Sequence, residues 1–143
     1  MQKQNLLLVE DSEDDAFLFI RTFEKSGTAF GVHHVPNGAE AIEYLRAAAG
    51  SDSLPRIVLL DLKMPMVNGF DVLKWLQKQT FSSKVPVVVV SGSVQQEDKD
   101  RASQLGAADY LVKPVTVADL RRLLTPVSSD SKDPAPSEAG IKG

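Results

Sequence analysis

Cysteine is absent from the 143 residues. That excludes disulfides, thiolate nucleophiles and cysteine-ligated zinc or iron–sulfur centres. Long apolar runs are absent as well: the longest has five residues, against the ~20 needed to span a bilayer. No membrane association is expected. The start, Met1-Gln2-Lys3-Gln4-Asn5, shows no signal-peptide apolar region, so the expected setting is cytoplasmic. Excess charge of one sign is also lacking. Sixteen basic and nineteen acidic residues leave a net charge of −3, too negative for a general grip on nucleic acid. The two histidines are neighbours, His33 and His34, and on a strand they point to opposite faces, which makes a poor ligand pair. What is present is 43% hydrophobic and 24% charged residues, the balance of one globular domain.

The apolar residues come in short, unbroken runs: Leu6-Leu7-Leu8-Val9, Ile57-Val58-Leu59-Leu60, Val87-Val88-Val89-Val90 and Tyr110-Leu111-Val112, with a weaker fifth from Gly31 to Val35. Continuous apolarity marks strands covered on both faces, as in a parallel sheet. Between them lie stripes with helical spacing: Ala16, Phe19, Ile20 and Phe23; Ala41, Ile42, Leu45 and Ala49; Val72, Leu73 and Leu76 beside Trp75; and Val117, Leu120 and Leu124. Gln95 to Leu105 reads as a helix with few anchors, mainly Ala102 and Leu105. Ser12 with Asp15, and Asn68, are placed to start helices, and Gly106 to end one. Strand and helix therefore alternate five times, which predicts an α/β, doubly wound parallel sheet with helices on both faces. Gly50 to Pro55 reads as a loop. From Pro126 the periodicity stops. The expected organisation is a folded domain over residues 1–125 and a disordered tail over 126–143.

Polar groups collect where the strands end: Glu10-Asp11 after the first, Asp61 after the third, Ser91 after the fourth and Lys113 after the fifth. Ligands of open α/β sheets bind beyond the carboxyl ends of the strands, and adjacent tips ~4.8 Å apart can share one pocket. Three carboxylates there would repel by about 3 kcal/mol per pair at ~5 Å. Lys113 offsets part of this, and a divalent cation would offset more. Oxygen ligands without cysteine or a nearby histidine favour Mg²⁺, or Mn²⁺, over Zn²⁺. Taken singly, each residue has an ordinary reading as a cap, a turn or a solvated charge. Their convergence is what points to a site.

Leu8-Val9-Glu10-Asp11, the run from Asp61 through Lys63-Met64-Pro65 to Asn68-Gly69, Val90-Ser91-Gly92 and Tyr110-Leu111-Val112-Lys113-Pro114 stand in a specific order and spacing. On these motifs, residues 4–125 resemble the receiver domain of two-component response regulators. The resemblance implies five strands in the flavodoxin-like order 2-1-3-4-5. It implies phosphorylation at Asp61, with Mg²⁺ held by Asp11, Asp61 and the Lys63 carbonyl, and by Glu10 through metal-bound water. Ser91 and Lys113 match the groups that grip the phosphoryl oxygens, and Tyr110 matches a switch aromatic that follows Ser91. Lys113-Pro114 matches a cis peptide bond. The chemistry agrees, since an ionised carboxylate is an oxygen nucleophile and phosphoryl transfer needs in-line placement with charge neutralisation.

The implied donor is a phosphohistidine on a sensor histidine kinase or phosphotransfer protein. The role is that of a phosphoacceptor signalling domain rather than an enzyme, assisting only its own phosphotransfer and dephosphorylation. No output domain is expected after residue 125, so signalling would run by contact with an unknown downstream protein. The longer Ala47–Pro55 link, Asp14-Asp15 and the Asn37-Gly38-Ala39-Glu40-Ala41 segment resemble the small single-domain regulators paired with phytochrome-type kinases. Lys63, two residues after Asp61, is expected to face the phosphoryl entrance. Leu18, with Phe17 on its flank, is a candidate kinase-docking patch, and Leu123 a candidate support for a homodimer through the fourth helix, fifth strand and fifth helix. The main alternative is a receiver-like interaction module that is never phosphorylated. A magnesium phosphatase is disfavoured by Lys63 where a second acid is commonly needed. Flavin binding is disfavoured by the negative Glu10–Asp15 segment.

Overall fold

The computed structural model describes residues 5–28, 30–64 and 66–124, so the tail expected over 126–143 lies outside the described residues. The elements alternate as β1 (Asn5–Val9), α1 (Glu13–Ser26), β2 (Gly31–Val35), α2 (Gly38–Gly50), β3 (Ile57–Leu60), α3 (Gly69–Gln77), β4 (Val87–Ser91), α4 (Gln96–Gln104), β5 (Asp109–Val112) and α5 (Val117–Leu124). All strand pairs are parallel, and the order is β2-β1-β3-β4-β5.

Side chains alternate across a strand, and the core divides accordingly. Leu7, Val9, Val58, Leu60, Val87 and Val89 pack with residues of α2, α3 and α4. Leu6, Leu8, Ile57, Leu59, Val88 and Val90 pack with Ala16, Phe19 and Phe23 of α1 and Leu120 and Leu124 of α5. The inner strands β3 and β4 are buried at every position, whereas the edge strand β2 buries only Val35, which explains its faint sequence signal.

Two local readings are corrected. On α2 the buried stripe is Ala41, Leu45 and Ala48, spaced i, i+4, i+7, while Ile42 and Ala49 lie on its half-buried flank. Leu105 is not in α4 but caps it, half-buried, with Gly106 beyond it at φ +98°. On α5 the fully buried residues are Leu120 and Leu124, with Leu123 beside them, half-buried against the α1–α5 layer. A strip that must cover both the sheet and the neighbouring helix is wider than one inward stripe.

Caps fix where the helices begin. Ser12 Oγ accepts from the Asp15 N–H at 3.2 Å, and Asn37 Oδ1 from that of Glu40 at 2.8 Å. At α3 the box is reciprocal: the Asp71 N–H donates to Asn68 Oδ1 at 3.0 Å and the Asn68 N–H to Asp71 Oδ2 at 3.1 Å. Asn68→Ala is expected to cost about 1 kcal/mol, read as a lower urea midpoint with unchanged slope. The next residue must be glycine for a different reason. A Cβ on Gly69 would stand 2.5 Å from the Asp61 carbonyl oxygen and 2.7 Å from Leu62 Cα. The missing side chain lets α3 start against the tip of β3, and the Gly69 N–H ties back to the Leu62 carbonyl at 3.0 Å.

Candidate functional site

From β1 the chain runs outward to β2, then crosses back to β3 on the other side of β1. The crevice at such a switch point is where open α/β sheets bind ligands. A cleft of about 550 Å³ opens there, and Glu10, Asp11, Asp15, Asp61, Lys63, Ser91 and Lys113 all line it. Six of the seven residues named from sequence as site residues thus meet in one place. The seventh, Tyr110, lies beside it.

Glu10 and Asp61 are buried, Asp11 is exposed, and each offers a carboxylate oxygen within 4.8 Å of the others. Backbone pairing sets them: the Asp61 N–H donates to the Val9 carbonyl at 3.0 Å and the Glu10 N–H to the Val35 carbonyl at 3.1 Å. His34 fixes the same turn, its Nε2 donating to the Glu10 carbonyl at 2.8 Å, while His33 stacks on Tyr44 with ring centroids 4.4 Å apart. The two histidines take separate structural places.

Lys113 reaches across from β5. Its Nζ lies 2.7 Å from Glu10 Oε1, 2.8 Å from Asp15 Oδ2 and 3.4 Å from Asp61 Oδ2. The Lys63 N–H donates to Asp61 Oδ1 at 3.2 Å. Burial pushes the Glu10 carboxyl up to about 7, with the charge on Asp61 adding to the rise; the bonds from Lys113 and the Ser12 N–H pull the other way without offsetting it. For Lys113, burial opposes the ammonium form, but bonds to Asp15 and Glu10 and the charge on Asp61 outweigh it and hold its pKa above the ordinary lysine range. Four carboxylates and two ammonium groups therefore line the cleft. This oxygen-rich, negative set fits a hard divalent cation such as Mg²⁺ or Mn²⁺.

Two participants escaped the sequence reading. Asp15 reads from sequence as a cap partner, yet it stands four residues before Phe19 and eight before Phe23, at the head of the inward stripe of α1. That spacing was the available signal. Ser93 had none. Its N–H donates to Ser91 Oγ at 3.1 Å, its hydroxyl to Asp98 at 2.6 Å, and its carbonyl accepts from the Tyr110 hydroxyl at 3.1 Å. Ser91 and Tyr110 thus meet through Ser93. The Lys113–Pro114 peptide bond is cis.

A doubly wound sheet with this acidic cleft is the architecture of a signalling receiver, and comparison with known proteins agrees. The sequence matches the response regulator receiver domain over residues 6–125, and the chain belongs to that family. It is 39% identical over 118 residues to the probable methanogenesis regulatory protein FilR2 of Methanothrix harundinacea, covering 82% of this chain and 76% of that one. Among solved structures it resembles the bacteriophytochrome response regulator AtBRR, with 31% identity, a TM-score of 0.75, and coverage of 87% and 92%. It also resembles the Mn²⁺-bound form of response regulator Rcp1, with 26% identity, a TM-score of 0.69, and coverage of 94% and 99%. Receiver domains are signalling domains that pair with histidine kinases or phosphotransfer proteins, and they bind a divalent metal at an acidic cluster of the kind Glu10, Asp11 and Asp61 form here. Among the described residues, no helix is long and apolar enough to cross a membrane.

Proposed function

We propose that Asp61 accepts a phosphoryl group from a phosphohistidine of a sensor kinase or phosphotransfer protein. The observation that carries this reading is the span of Lys113, whose ammonium contacts carboxylates from β1 and β3 at once. An Asp61 oxygen attacks phosphorus, and the bond from phosphorus to the donor imidazole breaks, its electron pair returning to nitrogen. Glu10, Asp11, Asp61 and the Lys63 carbonyl are the groups that would hold Mg²⁺, which neutralises phosphoryl charge. Lys113 shares that task, and Ser91 donates a hydrogen bond to the same oxygens. Water later attacks phosphorus and releases phosphate, so the state is temporary.

The readout follows the contacts of Ser91. When its hydroxyl turns to the phosphoryl group, Ser93 and through it Tyr110 and Asp98 lose their present anchor. The α4–β5–α5 face is the surface changed, available to a second copy or to a downstream protein. Helix α4 suits this part because Ala102 is its only fully buried residue. Donor docking is assigned to α1, where Phe17 and Leu18 are 59% and 60% exposed beside an apolar groove lined by Leu18, Phe19, Pro114 and Val115. The likeness to phytochrome response regulators supports a kinase of that type, and the cytoplasm is the proposed setting.

Uptake of labelled phosphate from acetyl phosphate tests the reading. A single base-labile group is expected with Mg²⁺ and none with a chelator. A protein that binds Mg²⁺ yet stays unlabelled would instead be an unphosphorylated interaction module.

A further inference from the structure

Lys113 has three carboxyl neighbours, and the division among them is uneven. Glu10 and Asp15 are held at 2.7 and 2.8 Å, Asp61 at 3.4 Å. Asp15 comes from a different element, α1, and its backbone is fixed by the Ser12 cap. Its side chain is 43% exposed, against 5% for Glu10 and 7% for Asp61. The ammonium thus bridges two deep carboxylates and one at the rim. The deep pair are also two of the three groups gathered closely enough to hold a cation. A divalent ion and the Lys113 ammonium therefore compete for the same two carboxyl groups, and like charges a few ångströms apart repel strongly in a half-buried cleft.

We propose that Asp15 is a positioning residue that gives the Lys113 ammonium a place to withdraw to, clearing Glu10 and Asp61 for the divalent cation. This rests on reading Glu10, Asp11 and Asp61 as the metal cluster. Asp15 sits where withdrawal costs least: its carboxylate is partly in water, so pairing there desolvates little new charge. It also lines both the cleft and the adjoining apolar groove, so the lysine stem stays packed whichever carboxylate its head favours. Without the Asp15 charge, the ammonium rests wholly on the two deep carboxylates and the ion must displace it.

Mg²⁺ affinity of the unphosphorylated protein, measured by calorimetric titration, decides the matter. Asp15→Asn keeps the shape and is expected to raise the Mg²⁺ dissociation constant about two- to fivefold, the worth of one partly exposed ion pair. Asp15→Glu, which keeps the charge, is expected to stay near wild type. Asp14→Asn removes the same charge from an exposed neighbouring position and measures the general electrostatic loss, which is expected to be smaller. In a Lys113→Met background, Asp15→Asn is expected to do no more than Asp14→Asn, because its effect runs through the ammonium. An unchanged Asp15→Asn affinity, or a loss that persists undiminished without Lys113, overturns the proposal. If wild type binds no Mg²⁺, the metal cluster itself is wrong and this inference falls with it. Because no phosphoryl donor is present, failure of phosphate uptake is a separate result.

Discussion

Asp61→Asn is expected to reduce phosphoryl uptake from acetyl phosphate to background while leaving the protein folded. The first half follows from chemistry. An amide oxygen is a far weaker nucleophile than a carboxylate, and the substitution also removes one of three clustered metal-ligating groups. The second half follows from contacts. The Lys63 N–H that donates to Asp61 Oδ1 at 3.2 Å finds an equivalent acceptor in the amide oxygen. Lys113 loses only its longest contact and keeps Glu10 and Asp15. Glu10 loses a buried anionic neighbour that helps raise its pKa. Metal-free Asp61→Asn should therefore melt no lower than wild type. Equal labelling of wild type and variant would mean that another group accepts the phosphoryl, and the role given to Asp61 would be wrong.

The division between what the residues announce and what they hide has a physical basis. The three inner strands declare themselves because burial on both faces forbids polar interruptions, so Val87 to Val90 can be nothing but apolar, whereas the edge strand β5 buries only Leu111 and its run is shorter. The polar residue that ends each run is equally plain, and Glu10, Asp61, Ser91 and Lys113 were legible as strand tips for that reason. Strand order is another matter. No periodicity says that β3 lies beside β1 rather than β2; the order came from resemblance to the family. Asp15 was misjudged because its backbone N–H does make the cap bond its spacing suggests, while its side chain does something else. Ser93 acts through its backbone N–H and carbonyl as well as its hydroxyl, and main-chain groups leave no mark in a sequence. Ala48 goes unread and Ile42 and Ala49 stand in its stripe because a helix packed on a sheet and on a second helix half-buries the flanks of its inward face.

Metal-free protein is expected to lose stability as pH rises from about 4.5 to about 7, the span between the ordinary carboxyl pKa of Glu10 and its value in the fold. In that window the folded state holds a proton that the unfolded chain has released, so stability falls with rising pH. Below it both states are protonated and above it both are ionised, and the slope vanishes. The whole loss is up to about 3–4 kcal/mol, from ~1.4 kcal/mol per pKa unit. Lys113 stays charged across this range, since its pKa is held above the ordinary lysine value, so it adds nothing to the Glu10 slope. A divalent cation reverses the balance by favouring the ionised carboxyl. Saturating Mg²⁺ is therefore expected to flatten the profile, and Mg²⁺ binding below pH 7 to release a proton and weaken as pH falls. Glu10→Gln cannot ionise and should lack the slope with or without metal, gaining most over metal-free wild type at pH 8. Urea unfolding at pH 5.5 and pH 8, with Mg²⁺ and with chelator, measures all four corners. A metal-free wild type whose stability does not fall relative to Glu10→Gln between those pH values would show that Glu10 is ionised in the fold, with its pairing to Lys113 outweighing its burial.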